Sequence, residues 1–132
     1  MAFNPQSHII CVVGGKGGVG KSVFSANLAV TLTKELRTPS LLIDADALTC
    51  GDQNIILGLN PHKTLGEIAQ FTGQISKQTI STLVSKHQSG IGFIGAVRSP
   101  SENLTVEPSL ITRPLQSLSH FFRYIVAKTR SS

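Results

Sequence analysis

The stretch Gly-Gly-Lys-Gly-Gly-Val-Gly-Lys-Ser occupies residues 14–22, and its last eight residues match the pattern G-x-x-x-x-G-K-[ST]. Glycines lack the Cβ atoms that would stop the backbone from wrapping a polyphosphate, so successive N–H groups can point at phosphate oxygens. Lys21 can then reach the β- and γ-phosphates, and the Ser22 hydroxyl can bind Mg²⁺. The stretch therefore predicts a phosphate-binding loop. Its predicted nucleotide contacts are Gly15, Lys16, Gly17, Gly18, Val19, Gly20, Lys21 and Ser22.

The segments on either side of this loop favour the same interpretation. His-Ile-Ile-Cys-Val-Val at residues 8–13 is a short apolar run that suits a buried parallel strand. After Lys21 the apolar residues recur with helical spacing, so bound phosphates would lie at a helix N-terminus. The alternative is a glycine-rich turn that arose by chance, and the order of strand, loop and helix argues against it.

Two acids follow the next apolar run, Ser-Leu-Leu-Ile-Asp-Ala-Asp at residues 40–46. If the strand continues through both, Asp44 and Asp46 point to the same side, at the carboxyl edge where the loop would hold phosphate. Carboxylate oxygens suit Mg²⁺ or a positioned water molecule. The other possibility is that these acids only end the strand and cap the following turn.

The rest of the chain alternates between helical and strand patterns. A capping box at Thr64 and Glu67 predicts a helix to about Phe71, and a second helix is expected from Ser76 or Gln78 to about His87. We expect a strand at residues 91–96, a helix at 107–122 and a strand at 124–127. This order predicts an α/β fold, with a doubly wound parallel sheet flanked by helices. Residues 1–132 are expected to form a single domain.

Composition limits the classes of function. Hydrophobic residues make up 40% of the chain and charged residues 14%, as in a globular domain. No apolar stretch reaches the length of a membrane span, and the N-terminus lacks a signal peptide, so a cytoplasmic protein is expected. The net charge of +5 is scattered along the chain, which has no Trp and one Tyr, and this disfavours nucleic-acid binding. Cys11 and Cys50 lack metal-ligand spacing, so we expect reduced, structural thiols.

The loop Lys-Gly-Gly-Val-Gly-Lys-Ser at residues 16–22 resembles the deviant phosphate loop, K-G-G-x-G-K-[ST], of the MinD/ParA superfamily. The resemblance implies a Mg²⁺-dependent ATPase that binds ATP or ADP and forms a nucleotide-dependent homodimer, in which Lys16 reaches the partner's nucleotide. It also implies that Lys16, Lys21 and Asp46 are catalytic, that Asp46 positions water, and that Ser22 and Asp44 bind Mg²⁺. A solvated loop cation is the alternative for Lys16.

The middle of the chain resembles one branch of that superfamily, the TadZ/CpaE-like pilus-assembly and secretion ATPases. The similar segments are Gly51-Asp52, residues 63–68 and His-Gln-Ser-Gly-Ile-Gly-Phe-Ile at 87–94. This resemblance implies a role in positioning or assembling pilus or secretion machinery, with recruitment to a cell pole or the inner membrane face through partners. We interpret His87 as structural, because no nucleophile or metal ligand is spaced to use it.

One residue departs from the superfamily pattern. The family's fourth strand ends in an acid that contacts magnesium-bound water, whereas Lys128 follows the strand here. A lysine cannot bind Mg²⁺, and its charge would oppose the metal if it pointed inward. We therefore expect Mg-ATP binding with weak or absent turnover from what resembles the N-terminal half of a larger ATPase domain. Alternatives are a non-hydrolysing ATP-responsive scaffold, a ParA-like DNA partition ATPase and an inactive fragment.

Overall fold

The described part of the computed structural model comprises residues 2–13, 19–46, 52–71, 74–97 and 111–129 and contains five strands and five helices. The strands are β1 (His8–Val12), β2 (Ser40–Asp44), β3 (Ser85–Lys86), β4 (Gly92–Ile94) and β5 (Tyr124–Lys128). The helices are α1 (Val19–Leu36), α2 (Asp52–Leu57), α3 (Leu65–Ala69), α4 (Lys77–Leu83) and α5 (Thr112–Leu118).

The strands form one sheet in the order β1-β5-β2-β4-β3. The first four of these are parallel, and β3 runs antiparallel to β4. β5 therefore lies between β1 and β2, and its last residue, Lys128, is level with Val12 on one side and Asp44 on the other. The predicted α/β class with a mostly parallel, helix-flanked sheet is confirmed.

Apolar side chains alternate between the two faces of the sheet, as the period of two in a strand requires. On β2, Leu42 packs with Val126 and helix α1, whereas Leu41 and Ile43 pack with the opposite cluster around α3, α4 and α5. All five residues of β2 are buried. Helices thus cover both faces, which explains why this strand is a continuous apolar run.

The prediction that the second of these helices extends to about His87 is wrong at the C-terminal end. α4 ends at Leu83, Val84 is extended, and Ser85 and Lys86 pair with β4. A turn follows, in which the His87 N–H donates to the Ile91 carbonyl and Gly90 adopts a φ of +99°. This hairpin adds an antiparallel edge strand to the otherwise parallel sheet.

Three further predictions concern the capping box of α3, the helix before β5 and the two cysteines. The capping box is present, because the Thr64 side chain accepts from the Glu67 N–H and the Glu67 carboxylate accepts from the Thr64 N–H. The helix expected over 107–122 is observed only as Thr112–Leu118, and residues 98–110 lie outside the described part of the chain. Cys11 is an exposed free thiol on β1, and Cys50 lies outside the described residues.

Candidate functional site

The site lies at the carboxyl edge of the sheet, where β1, β5 and β2 end beside the first turn of α1. Val19 and Gly20 open that helix, and Lys21 and Ser22 follow them. Residues 14–18 lie outside the described part of the chain, so the predicted contacts of Gly15, Lys16, Gly17 and Gly18 stay predictions. Of the predicted site residues, the structure brings Lys21, Ser22, Asp44 and Asp46 together.

Lys21 is held by the strand ends beneath it. Its ammonium donates to the Thr129 carbonyl at 2.9 Å and forms an ion pair with Asp46 Oδ2 at 2.5 Å. Both side chains are almost fully buried, with 6% and 1% of their surface exposed. The lysine predicted to hold phosphate and the acid predicted to position water therefore neutralise each other in this arrangement.

Lys128 forms a second ion pair next to the first. Its ammonium donates to Ser22 Oγ at 2.9 Å and lies 3.5 Å from Asp44 Oδ1. The side chains of Lys128 and Asp44 are both completely buried. Asp44 Oδ1 also accepts from the Asp46 N–H at 3.2 Å, which connects the two pairs. The sequence alone left open whether the Lys128 side chain points inward, and in the structure it does.

Asp44 has an altered acidity in this environment. Burial raises the pKa of its carboxyl from the ordinary 3.8 to about 6, and the nearby Lys128 ammonium opposes this shift only in part. Its other oxygen, Oδ2, is buried and has no hydrogen-bond partner among the described residues. Desolvation therefore dominates over ion pairing at this carboxyl group.

These residues do not fit a magnesium ion as they are arranged. The two oxygens assigned to the metal, Ser22 Oγ and Asp44 Oδ1, both contact the Lys128 ammonium. A magnesium ion about 2.1 Å from Ser22 Oγ would lie within ~5 Å of that ammonium. At an effective dielectric constant of about 20, the two cations would repel each other by roughly 7 kcal/mol. The assignment of Ser22 and Asp44 as metal ligands stays a prediction that the geometry does not favour.

Two amide side chains of α2 are buried, and no sequence pattern selected them. Gln53 donates to the Ser22 carbonyl at 3.0 Å, and Asn54 donates to the Val97 carbonyl at 2.8 Å. Ser25 adds a bond inside α1, donating to the Lys21 carbonyl at 2.8 Å. The first turn of α1 is thus held by Gln53 from α2 and by Ser25 from within α1. Two consecutive amides after Asp52 were the available signal, but amides are common at exposed helix starts.

Among the described helices, none is both long and apolar enough to cross a membrane.

Comparison with known proteins gives one family match and several related proteins. Residues 10–113 match the family model described as the CobQ/CobB/MinD/ParA nucleotide binding domain. Over 62 residues the chain is 44% identical to the antiactivator FleN of Pseudomonas aeruginosa, which covers 47% of this chain and 21% of that protein. The family match includes the phosphate loop and both acids.

Solved structures share the fold at low identity. A ParA family ATPase from Chlorobium tepidum superposes with a TM-score of 0.81 at 24% identity, covering 96% of this chain and 52% of that one. Cobyrinic acid a,c-diamide synthase from Mycobacterium smegmatis, solved with a bound ATP analogue and magnesium, gives a TM-score of 0.67 at 21% identity, covering 96% and 52%. The chain thus spans about half the length of these solved relatives. Because the family model matches more than half of its residues, the chain belongs to the CobQ/CobB/MinD/ParA family of nucleotide binding domains.

Proposed function

We propose that this chain binds ATP at residues 14–22 and acts as a nucleotide-dependent dimerisation switch with little or no hydrolysis. The observation that carries the proposal is the position of Lys21 and Ser22 in the first turn of α1, at the carboxyl edge of the sheet beside Asp44 and Asp46. Helix N-termini at such an edge favour bound phosphate, because unpaired N–H groups and the helix dipole both attract anions. The ATP analogue in a solved relative supports the choice of ligand.

Binding requires Lys21 to exchange one anionic partner for another. In the structure its ammonium is neutralised by Asp46. Phosphate oxygens arriving at the helix N-terminus would compete with that carboxylate, and each charge-assisted bond they gain offsets the bond that is lost. Asp46 would then become available to hold a water molecule, the role that the family resemblance implies for it.

The arrangement around Lys128 supports a scaffold more than an enzyme. ATP hydrolysis in this class of protein relies on a metal ion that neutralises charge on the transferred phosphoryl group. Here a buried lysine contacts both of the oxygens predicted to bind that metal. We therefore propose the non-hydrolysing form over the Mg²⁺-dependent ATPase.

The proposed dimer and its cellular role depend on the family resemblance. In the dimer, Lys16 of each subunit would contact the nucleotide of the other, adding positive charge as an arginine finger does. A role with pilus or secretion machinery rests on the similarity of residues 51–94 to the TadZ/CpaE branch alone. The relatives described above support the superfamily and not this branch.

Isothermal titration with ATP tests the proposal. We expect saturable binding by the unmodified chain and a loss of at least about tenfold in affinity for Lys21→Ala. Lys34→Ala is the matched control, because it removes an exposed lysine from the last turn of the same helix. Equal heats from the unmodified chain and Lys21→Ala would contradict ATP binding at this loop.

A further inference from the structure

We propose that the Lys128 ammonium replaces a divalent cation at this site, so that the chain binds a nucleoside triphosphate without a metal ion. The proposal rests on the proposed function, since it concerns the same loop. The ligand it identifies is the metal-free form of the nucleotide.

The position of Lys128 is the first argument. Its ammonium contacts Ser22 Oγ and Asp44 Oδ1, the hydroxyl and carboxylate that the sequence predicts as the metal's protein ligands. Those two oxygens come from different elements, α1 and β2, and a single cation joins them. An ammonium supplies positive charge and hydrogen-bond donors at this point, whereas a metal would supply charge and coordination.

The attachment of Lys128 is the second argument. The residue ends β5, which lies between β1 and β2, and its carbonyl accepts from the Ala45 N–H at 2.8 Å. The following residue, Thr129, donates its N–H to the Val12 carbonyl at 3.0 Å. The backbone is therefore paired on both sides where the side chain begins. A lysine is seldom fully buried unless it is paired, and here the pairing partners are the site itself.

The charge balance is the third argument. Lys21 pairs with Asp46, and Lys128 pairs with Asp44, so the four side chains have no net charge. A magnesium ion added between Ser22 and Asp44 would face the Lys128 ammonium directly. A metal-free triphosphate brings no second cation to this site, and its oxygens can accept from Lys21 and from the N–H groups at the helix N-terminus.

The test is titration of the unmodified chain with ATP and a non-hydrolysable ATP analogue, once in excess Mg²⁺ and once in EDTA. We expect ATP to bind at least as tightly in EDTA as in excess Mg²⁺, because the metal-free nucleotide is the ligand and excess Mg²⁺ depletes it. Affinity at least about tenfold weaker in EDTA would overturn the proposal while leaving ATP binding at the loop intact. Absence of binding in both buffers would overturn the proposed function and this inference together.

Two variants make the test specific to Lys128. Lys128→Met keeps the length of the side chain without its charge, and we expect it to lose at least about tenfold in affinity in EDTA. Lys128→Asp supplies a carboxylate, and we expect it to bind at least about tenfold more tightly in Mg²⁺ than in EDTA.

Lys86→Met is the matched control, since it removes an exposed strand lysine at the far edge of the sheet. Circular dichroism identifies variants that remain folded. If neither Lys128 variant folds, the comparison of buffers with the unmodified chain still decides. Unchanged affinity of folded Lys128→Met in EDTA would overturn the proposal.

Discussion

Lys128 and Asp44 face each other at the ends of neighbouring parallel strands, and their buried side chains form an ion pair with Nζ 3.5 Å from Oδ1. Removing one member of a buried pair leaves the other charge without compensation, which costs more than the pair itself contributes. We expect Lys128→Met to lower the free energy of unfolding by roughly 3 kcal/mol, measured by urea denaturation.

The double variant Lys128→Met with Asp44→Asn checks the cause of that loss. If the unpaired carboxylate is responsible, the double variant will be more stable than the sum of the two single changes implies, by roughly 1 to 3 kcal/mol. Strict additivity would show that the two side chains do not interact energetically.

The raised pKa of Asp44 makes stability depend on pH in an unusual direction. The folded carboxyl has a pKa of about 6, against 3.8 ordinarily, so between these values the folded chain binds more protons than the unfolded chain. The contribution of Asp44 to the free energy of unfolding therefore falls as pH rises through this window, by at most about 3 kcal/mol. Below pH ~4 both states are protonated and this contribution no longer changes.

Urea denaturation between pH 4 and 7 measures this slope. We expect Asp44→Asn to remove it and Asp52→Asn, a change in a less buried acid at the start of α2, to keep it. A slope that persists in Asp44→Asn would mean that another group is responsible.

Gly92 is packed too closely for a side chain. A Cβ atom at this position would lie 2.6 Å from Val84 Cγ1 and 3.3 Å from Leu41 Cδ1. We expect Gly92→Ala to destabilise the chain by roughly 1 to 3 kcal/mol in thermal unfolding. Gly20→Ala is the contrasting control, because a Cβ there meets no described atom within 4 Å and the residue is helical, so its thermal stability should stay equal or rise.

The dimer proposal yields a prediction for Lys16. With a saturating non-hydrolysable ATP analogue, analytical ultracentrifugation should show a dimer of the unmodified chain and a monomer of Lys16→Ala. Lys34→Ala should still dimerise. A monomeric unmodified chain under these conditions would remove the contact of Lys16 with the partner's nucleotide from the proposal.

The sequence predicted the elements whose determinants are local. The capping box of α3 needs only Thr64 and Glu67, and both reciprocal bonds are present. The apolar run before Asp44 likewise predicted β2, because a strand buried on both faces has no polar alternation. The class of the fold followed from the order of these elements.

The features that the sequence did not predict depend on contacts between distant residues. α4 ends early because Ser85 and Lys86 pair with β4. Gly92 packs closely against Val84, and the spacing of apolar residues along the chain does not predict this contact. Gln53 reaches the Ser22 carbonyl across 31 positions of sequence. The direction of Lys128 follows from its register beside Asp44, which no single-sequence pattern specifies.

The position of β5 between β1 and β2 has a consequence for biosynthesis. Among the described strands, β1 pairs only with β5, and β2 reaches β1 only through it. While the ribosome is still making the residues before Tyr124, the first strand has no neighbour and its backbone groups stay solvated. Pairing across so many residues closes large loops and is slow. Nascent β1 is therefore exposed to mispairing until β5 emerges, and the same strand that ends this exposure delivers Lys128 to the site.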